Sequence, residues 1–242
     1  MVLIIGAALI SFLPTVFLLL WFKKRIGLQH DETYDNAYKI VLKKGFLTIL
    51  LVIACSALFA VIEGGLGFLL KGPDSYPLLF AAYHTFIVLA LSEELVKTFQ
   101  FYSSIKKMEY KYTWLDMIIF MTTIGLCFGL LESILYVVGA DVIQILVRGV
   151  MTFHGGLGFI EGWFYGLAKV KGKKWYAVLG FLIAWIIHGA YDFGLSEEFL
   201  TLGEYAPFLS VNLALLAVII FIVMIVFFFT VKKKEKYLKP LD

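Results

Sequence analysis

Two glutamates and a lysine interrupt the apolar run LALSEELVKTF at residues 89–99: Glu93, Glu94 and Lys97. Further along lie Glu132 and Tyr136 in ESILY, Arg148 and His154 in RGVMTFH, and His188 and Asp192 in HGAYD. Glu93 and Lys97 are four residues apart, which on a helix puts them on one face, with Glu94 about 100° away. Glu132 with Tyr136 and His188 with Asp192 repeat that spacing. A histidine four residues from a carboxylate suits an imidazole held in one orientation, or two ligands on one face. Glutamate and histidine together can activate water directly. The same groups, Glu93, Glu94, His154 and His188, could instead hold zinc and leave a coordination position open for water. There is no HExxH, and no serine or cysteine near the histidines suggests a nucleophile elbow.

These groups sit in a chain built for lipid. Its 242 residues are 61% hydrophobic and 16% charged, and mean hydropathy is +0.90. A soluble domain cannot hide that much apolar surface. Apolar runs of spanning length fall at about 2–22, 45–70, 77–103, 113–139, 143–168, 175–195 and 206–231. No ten-residue alternation of the barrel type occurs, so the expected fold is an all-α polytopic bundle of about seven spans. Residues 1–22 read as an anchor helix rather than a cleaved leader, because the basic cluster Lys23-Lys24-Arg25 follows the apolar run. Cys55 and Cys127 have no metal or disulfide spacing and read as packing residues. Linkers are short and no repeat is evident, so residues 1–242 form one expected domain. Nothing in it points to nucleic acid.

Charge sets the expected orientation. Segments 23–44, 104–112, 169–174 and the tail after residue 231 hold eighteen of the 21 basic residues. With seven spans all of these fall on one side, which places the N-terminus outside and the C-terminus in the cytoplasm. Depth can then be estimated from the nearest basic loop at about 1.5 Å per residue. Glu93, His154 and His188 come out at roughly 20–22 Å, and Glu132 and Asp192 at roughly 27–30 Å. Four helices thus bring ionisable groups to one band of the membrane. A charge at the bilayer centre costs at least about 2.5–3.5 kcal/mol, so agreement in depth points to one site. Glu63, near the outer end of its span, and His84 read as structural; Glu161, seven residues after His154 on the same face and nearer the cytoplasm, reads as a cavity-lining candidate at most. Gly125, Gly129, Gly158, Gly162 and Gly166 are expected to let helices approach closely.

The ordered set EELVK, GLLESILY, RGVMTFHGGLGFIEGWFYG and HGAYD, over residues 92–194, resembles the PrsW family of intramembrane proteases, which look distantly related to the CAAX prenyl-protease group. The resemblance implies a membrane-embedded endopeptidase acting on a membrane-anchored protein, such as a single-pass anti-sigma factor. Residue by residue, it carries catalytic roles to Glu93, Glu94, His154 and His188, and supporting ones to Lys97, Glu132, Tyr136, Arg148 and Asp192. Asp192 departs from the asparagine of the CAAX branch. On this reading Glu93 is the base acting with His154, and Glu94 is a second carboxylate or ligand. His188 stabilises the oxyanion or binds metal with Asp192 orienting it, and Lys97 offsets the glutamate pair. Two other classes compete. Buried Glu/His chains also serve proton-coupled transporters, though no inverted repeat is evident. A catalytically silent scaffold would have no need of the full motif set.

Overall fold

The computed structural model describes residues 2–70, 72–106, 110–136, 152–203 and 205–241. Among them the chain is helical, without named strands. Helix α1 runs Val2–Lys23 and α2 runs Glu32–Leu69. Helix α3, Pro77–Tyr83, continues through a π-helical stretch, His84–Leu91, into α4, Ser92–Ile105. Helices α5, Trp114–Tyr136, α6, Phe153–Lys171, and α7, Trp175–Gly194, complete the motif-bearing part. A short α8, Glu197–Leu200, leads to α9, Ala206–Thr230.

Five helical units among the described residues are long and apolar enough to cross a membrane: α2, the continuous α3–α4 unit, α5, α7 and α9. The chain is a multi-pass membrane protein. The first expected span corresponds to α1, whose Ile10–Lys23 stretch is a shorter apolar helix. The fifth, 143–168, corresponds to α6 from Phe153 onward; its first part lies outside the described residues.

The largest departure from the sequence reading is α2, which starts at Glu32 rather than near residue 45. Asp31 caps it, accepting from the Tyr34 amide at 3.0 Å, and Glu32 and Asp35 fall in the first turn, where the helix dipole favours anions. The Thr33 hydroxyl and the Tyr34 amide also hold the Asp31 carboxyl below its ordinary pKa. Tyr34 and Tyr38 then tie α2 to α1, their hydroxyls donating to the carbonyls of Phe22 at 2.6 Å and Leu19 at 2.8 Å. At 38 residues α2 is about 57 Å long, well beyond a hydrocarbon core of about 30 Å. Its surplus carries Lys39, Lys43 and Lys44.

The basic segments meet at one end of the bundle. Arg25 makes two hydrogen bonds to Asp116, both 3.0 Å, and Asp116 also accepts from Tyr110 at 3.1 Å and from the Thr113 amide at 2.8 Å. Partial burial works against the Arg25 charge, but Asp116 more than offsets it and holds the guanidinium above its ordinary pKa. The tail returns to the same end, where Leu241 donates its amide to the Tyr112 carbonyl at 2.7 Å. The Trp114 ring lies 4.8 Å from that of Tyr237 and 5.5 Å from that of Trp163. Reporter fusions should agree with this grouping. A fusion after Lys171 should report cytoplasm and one at Glu198 the outside; the reverse at either point would overturn the orientation.

Candidate active site

The positioning of the site begins with the seam between α5 and α6. A methyl group on Gly125 would lie 2.1 Å from the His154 carbonyl oxygen, and one on Gly129 would lie 3.0 Å from Cδ2 of its ring. Further down, a Cβ on Gly162 would lie 2.7 Å from Cα of Ile118. A side chain at Gly125 or Gly162 would meet backbone and force the helices apart, and one at Gly129 would crowd the His154 ring, so the glycines set how far His154 reaches toward α4. Gly189 does the same for α7, where a Cβ would meet the Phe86 ring at 2.3 Å. On the other side Ser92 shares a 2.6 Å hydrogen bond with Ser56 of α2, pinning the start of α4.

Three helices converge on one point. Glu93, His154 and His188 each offer one ligand-type atom, all within 4.8 Å of one another, and all three residues are buried. Oε2 of Glu93 lies 3.8 Å from Nδ1 of His154 and 3.6 Å from Nε2 of His188. Each imidazole is held from its far nitrogen by a carboxylate. Nε2 of His154 meets Oε2 of Glu132 at 2.5 Å, and Nδ1 of His188 meets Oε1 of Glu94 at 2.5 Å. Lys97 Nζ donates to that same Glu94 oxygen at 2.6 Å and stands 3.4 Å from Nδ1 of His154. Its ammonium also lies 5.5 Å from the centre of the Phe128 ring, a cation–π distance.

One pairing differs from that suggested by spacing, and the His188–Asp192 pair gains a second carboxylate. Lys97 goes to Glu94, three residues before it, because Glu93 is turned toward the histidines. His188 takes its orientation at Nδ1 from Glu94, while Oδ2 of Asp192 lies 3.3 Å from Nε2, on the side that also faces Glu93. Arg148 lies outside the described residues, as does the side chain of Tyr136 at the end of α5. Glu161 is buried but is not in the wall of this cavity; its Oε2 accepts from Thr98 at 3.1 Å. Glu63 and His84 pair with each other at 3.1 Å near the other end of the bundle.

The cluster opens into a cavity of about 80 Å³, room for several waters. Its wall includes Glu93, Glu132, His154, His188 and Asp192, together with Thr152, Tyr191, and Phe12 and Thr15 of α1. The contribution of α1 and of Thr152 was not visible in the sequence, where neither carries a motif signal.

The donor set fits a divalent transition metal. One carboxylate and two imidazoles are zinc ligand types, and metal-bound histidines are typically held by a carboxylate at the other ring nitrogen. Oε2 of Glu93 is buried and has no hydrogen-bond partner among the described residues, an arrangement that a cation would relieve.

A family described as PrsW family intramembrane metalloprotease matches residues 41–230 of this chain. Protease PrsW of Geobacillus kaustophilus is 31% identical over 115 residues, which is 46% of this chain and 51% of that protein. Protease PrsW of Oceanobacillus iheyensis is 32% identical over 112 residues, 45% of this chain and 52% of the relative. Protease PrsW of Bacillus subtilis is 27% identical over 175 residues, 68% of this chain and 74% of the relative. The chain thus spans about half the length of the first two relatives. No solved structure matches it.

Proposed function

Because the chain belongs to the PrsW family of intramembrane metalloproteases, we propose that it hydrolyses a peptide bond in a membrane-anchored protein at the Glu93–His154–His188 cluster. The observation that carries this reading is the pair of imidazoles, each held by a carboxylate at its far nitrogen, with both near nitrogens turned toward Glu93.

Zinc would be held by Glu93, His154 and His188, and when bound it would acidify water and polarise the scissile carbonyl. Glu132 and Glu94 fix the two ring orientations and tautomers, leaving Nδ1 of His154 and Nε2 of His188 directed at the ligand position. Asp192, on the cavity wall beside Nε2 of His188, accepts the proton of the attacking water and returns it to the leaving amine. Lys97 donates to the same Glu94 oxygen that faces Nδ1 of His188, so one carboxylate oxygen ties α4 to α7. The seam of glycines keeps the cavity small, and burial within the bundle strengthens each of these charge interactions. A substrate held by one membrane anchor, of which a single-pass anti-sigma factor is the candidate, suits a site buried within a helical bundle.

A second reading is favoured by Lys97. A resident ammonium 2.6 Å from Glu94 already supplies positive charge, and Glu93 could then act as the base without metal. Incubation of purified protein with a library of membrane-anchored substrates separates the two. Cleavage that stops with a membrane-permeant chelator and returns with added zinc is the expected result. Cleavage untouched by chelator would leave the glutamate-base reading, and no cleavage of any substrate would count against a protease.

A further inference from the structure

Thr152 precedes α6 with a left-handed backbone, φ 38° and ψ 47°, a conformation that β-branched residues rarely adopt. An N-cap threonine in the usual extended conformation folds its hydroxyl back onto the N–H of the second or third helical residue. Thr152 does not: its side chain makes no capping hydrogen bond. Its Oγ1 is buried, with no hydrogen-bond partner among the described residues, although Thr152 is only 7% exposed and forms part of the catalytic cavity wall. A buried hydroxyl left without a partner costs about 1–3 kcal/mol, and that cost calls for an explanation.

The first turn of α6 borders the same cavity through Phe153, His154 and Gly155. The first N–H groups of a helix have no acceptor within it and carry the positive end of the helix dipole. The N-terminal end of a 19-residue helix, from Thr152 to Gly155, therefore lines the same cavity as Glu93 and His188.

We infer that Thr152 Oγ–H and the first-turn amides of α6 form the oxyanion-binding site of the reaction. The inference rests on the peptidase reading above. Water attacks the scissile carbonyl carbon, a C–O bond forms, and the carbonyl π pair moves onto oxygen. That oxygen, now negative, accepts from the Thr152 hydroxyl and the helix N-terminus. The pair returns as the C–N bond breaks, and the amine departs with the proton carried by Asp192. The left-handed backbone at Thr152 keeps the hydroxyl away from the cap position, leaving its donor uncommitted among the described residues. His188 is thereby assigned to ligation and not to oxyanion binding.

The test compares Thr152→Val, which keeps the shape and removes the donor, with Thr152→Ser, which keeps the donor. Both are run against wild type and Glu93→Gln with the substrate found in the library assay. Thr152→Val should lower kcat about 10²–10³-fold with little change in KM, and Thr152→Ser should recover most of it. Metal content by elemental analysis should be the same in wild type, Thr152→Val and Thr152→Ser. Wild-type kcat in Thr152→Val, or equal losses in the Val and Ser variants, would overturn the inference while an inactive Glu93→Gln keeps the peptidase reading. Loss of metal from Thr152→Val would also overturn it, by making Thr152 a structural support for His154. Wild type and Glu93→Gln cleaving alike would instead remove the Glu93 cluster as the place of cleavage.

Discussion

Glu93→Gln should give a protein that is expressed and membrane-inserted as well as wild type and that cleaves roughly 10²–10⁴-fold more slowly. The substitution changes almost no volume and removes only the charge. At this position the charge is the functional quantity, since Oε2 faces both imidazoles across 3.6–3.8 Å and has no hydrogen-bond donor among the described residues. A buried, unpartnered carboxylate oxygen is a desolvation cost, and a neutral amide reduces it. In metal-free protein the thermal midpoint of Glu93→Gln should therefore equal or exceed that of wild type while activity collapses. His154→Ala should cost a similar factor, and the double variant should be little worse than either, because the two act as one unit. Measured turnover near wild type in Glu93→Gln would remove Glu93 from the centre of the chemistry under both readings proposed above.

The second large effect concerns metal content. Wild-type protein purified without chelator should carry close to one zinc per chain, and His154→Ala or His188→Ala should fall to background. In the proposed site each imidazole would be a direct donor in a three-residue set, and two remaining donors would leave it incomplete. Glu132→Gln and Glu94→Gln should be graded between these limits, weakening affinity by about 10–100-fold, since they act through the histidines they orient. Elemental analysis of the five proteins under one dialysis protocol reads the whole series. Full metal occupancy in His188→Ala would show that the ion lies elsewhere.

The convergence of the site was legible in the sequence, and its wiring was not. Glu93, His154 and His188 fall at nearly equal depth when counted from the basic loops, and their ligand atoms come within 4.8 Å of one another. Depth follows from helical rise alone, so it survives ignorance of packing. Which carboxylate serves which imidazole depends on how each helix is rotated about its axis. Residues three and four apart are equally good neighbours on a helix surface, so Lys97 could face Glu93 or Glu94. The choice of Glu94 is made by the rotation of α4, which sends Glu93 toward α6 and α7. The start of α2 was obscured because residues 32–44 read as a charged loop. The helix there depends on Asp31 and on two tyrosines reaching carbonyls of α1, contacts that no local pattern announces. Thr152 was unreadable for another reason. A lone threonine has no periodicity, and its role comes from a backbone angle.

The π-helical stretch His84–Leu91 has a consequence for how this chain can be aligned with others. A π segment closes its hydrogen bonds one residue later than an α-helix and so accommodates an additional residue within an otherwise continuous helix. Removing one residue between His84 and Leu91 would let the stretch relax to α geometry while the helix before and after it kept the same faces. Glu93 and Glu94 would still point where they do now. A one-position gap here is therefore nearly silent in space, whereas the same gap between Glu94 and Lys97 would turn Lys97 by about 100° relative to the glutamates.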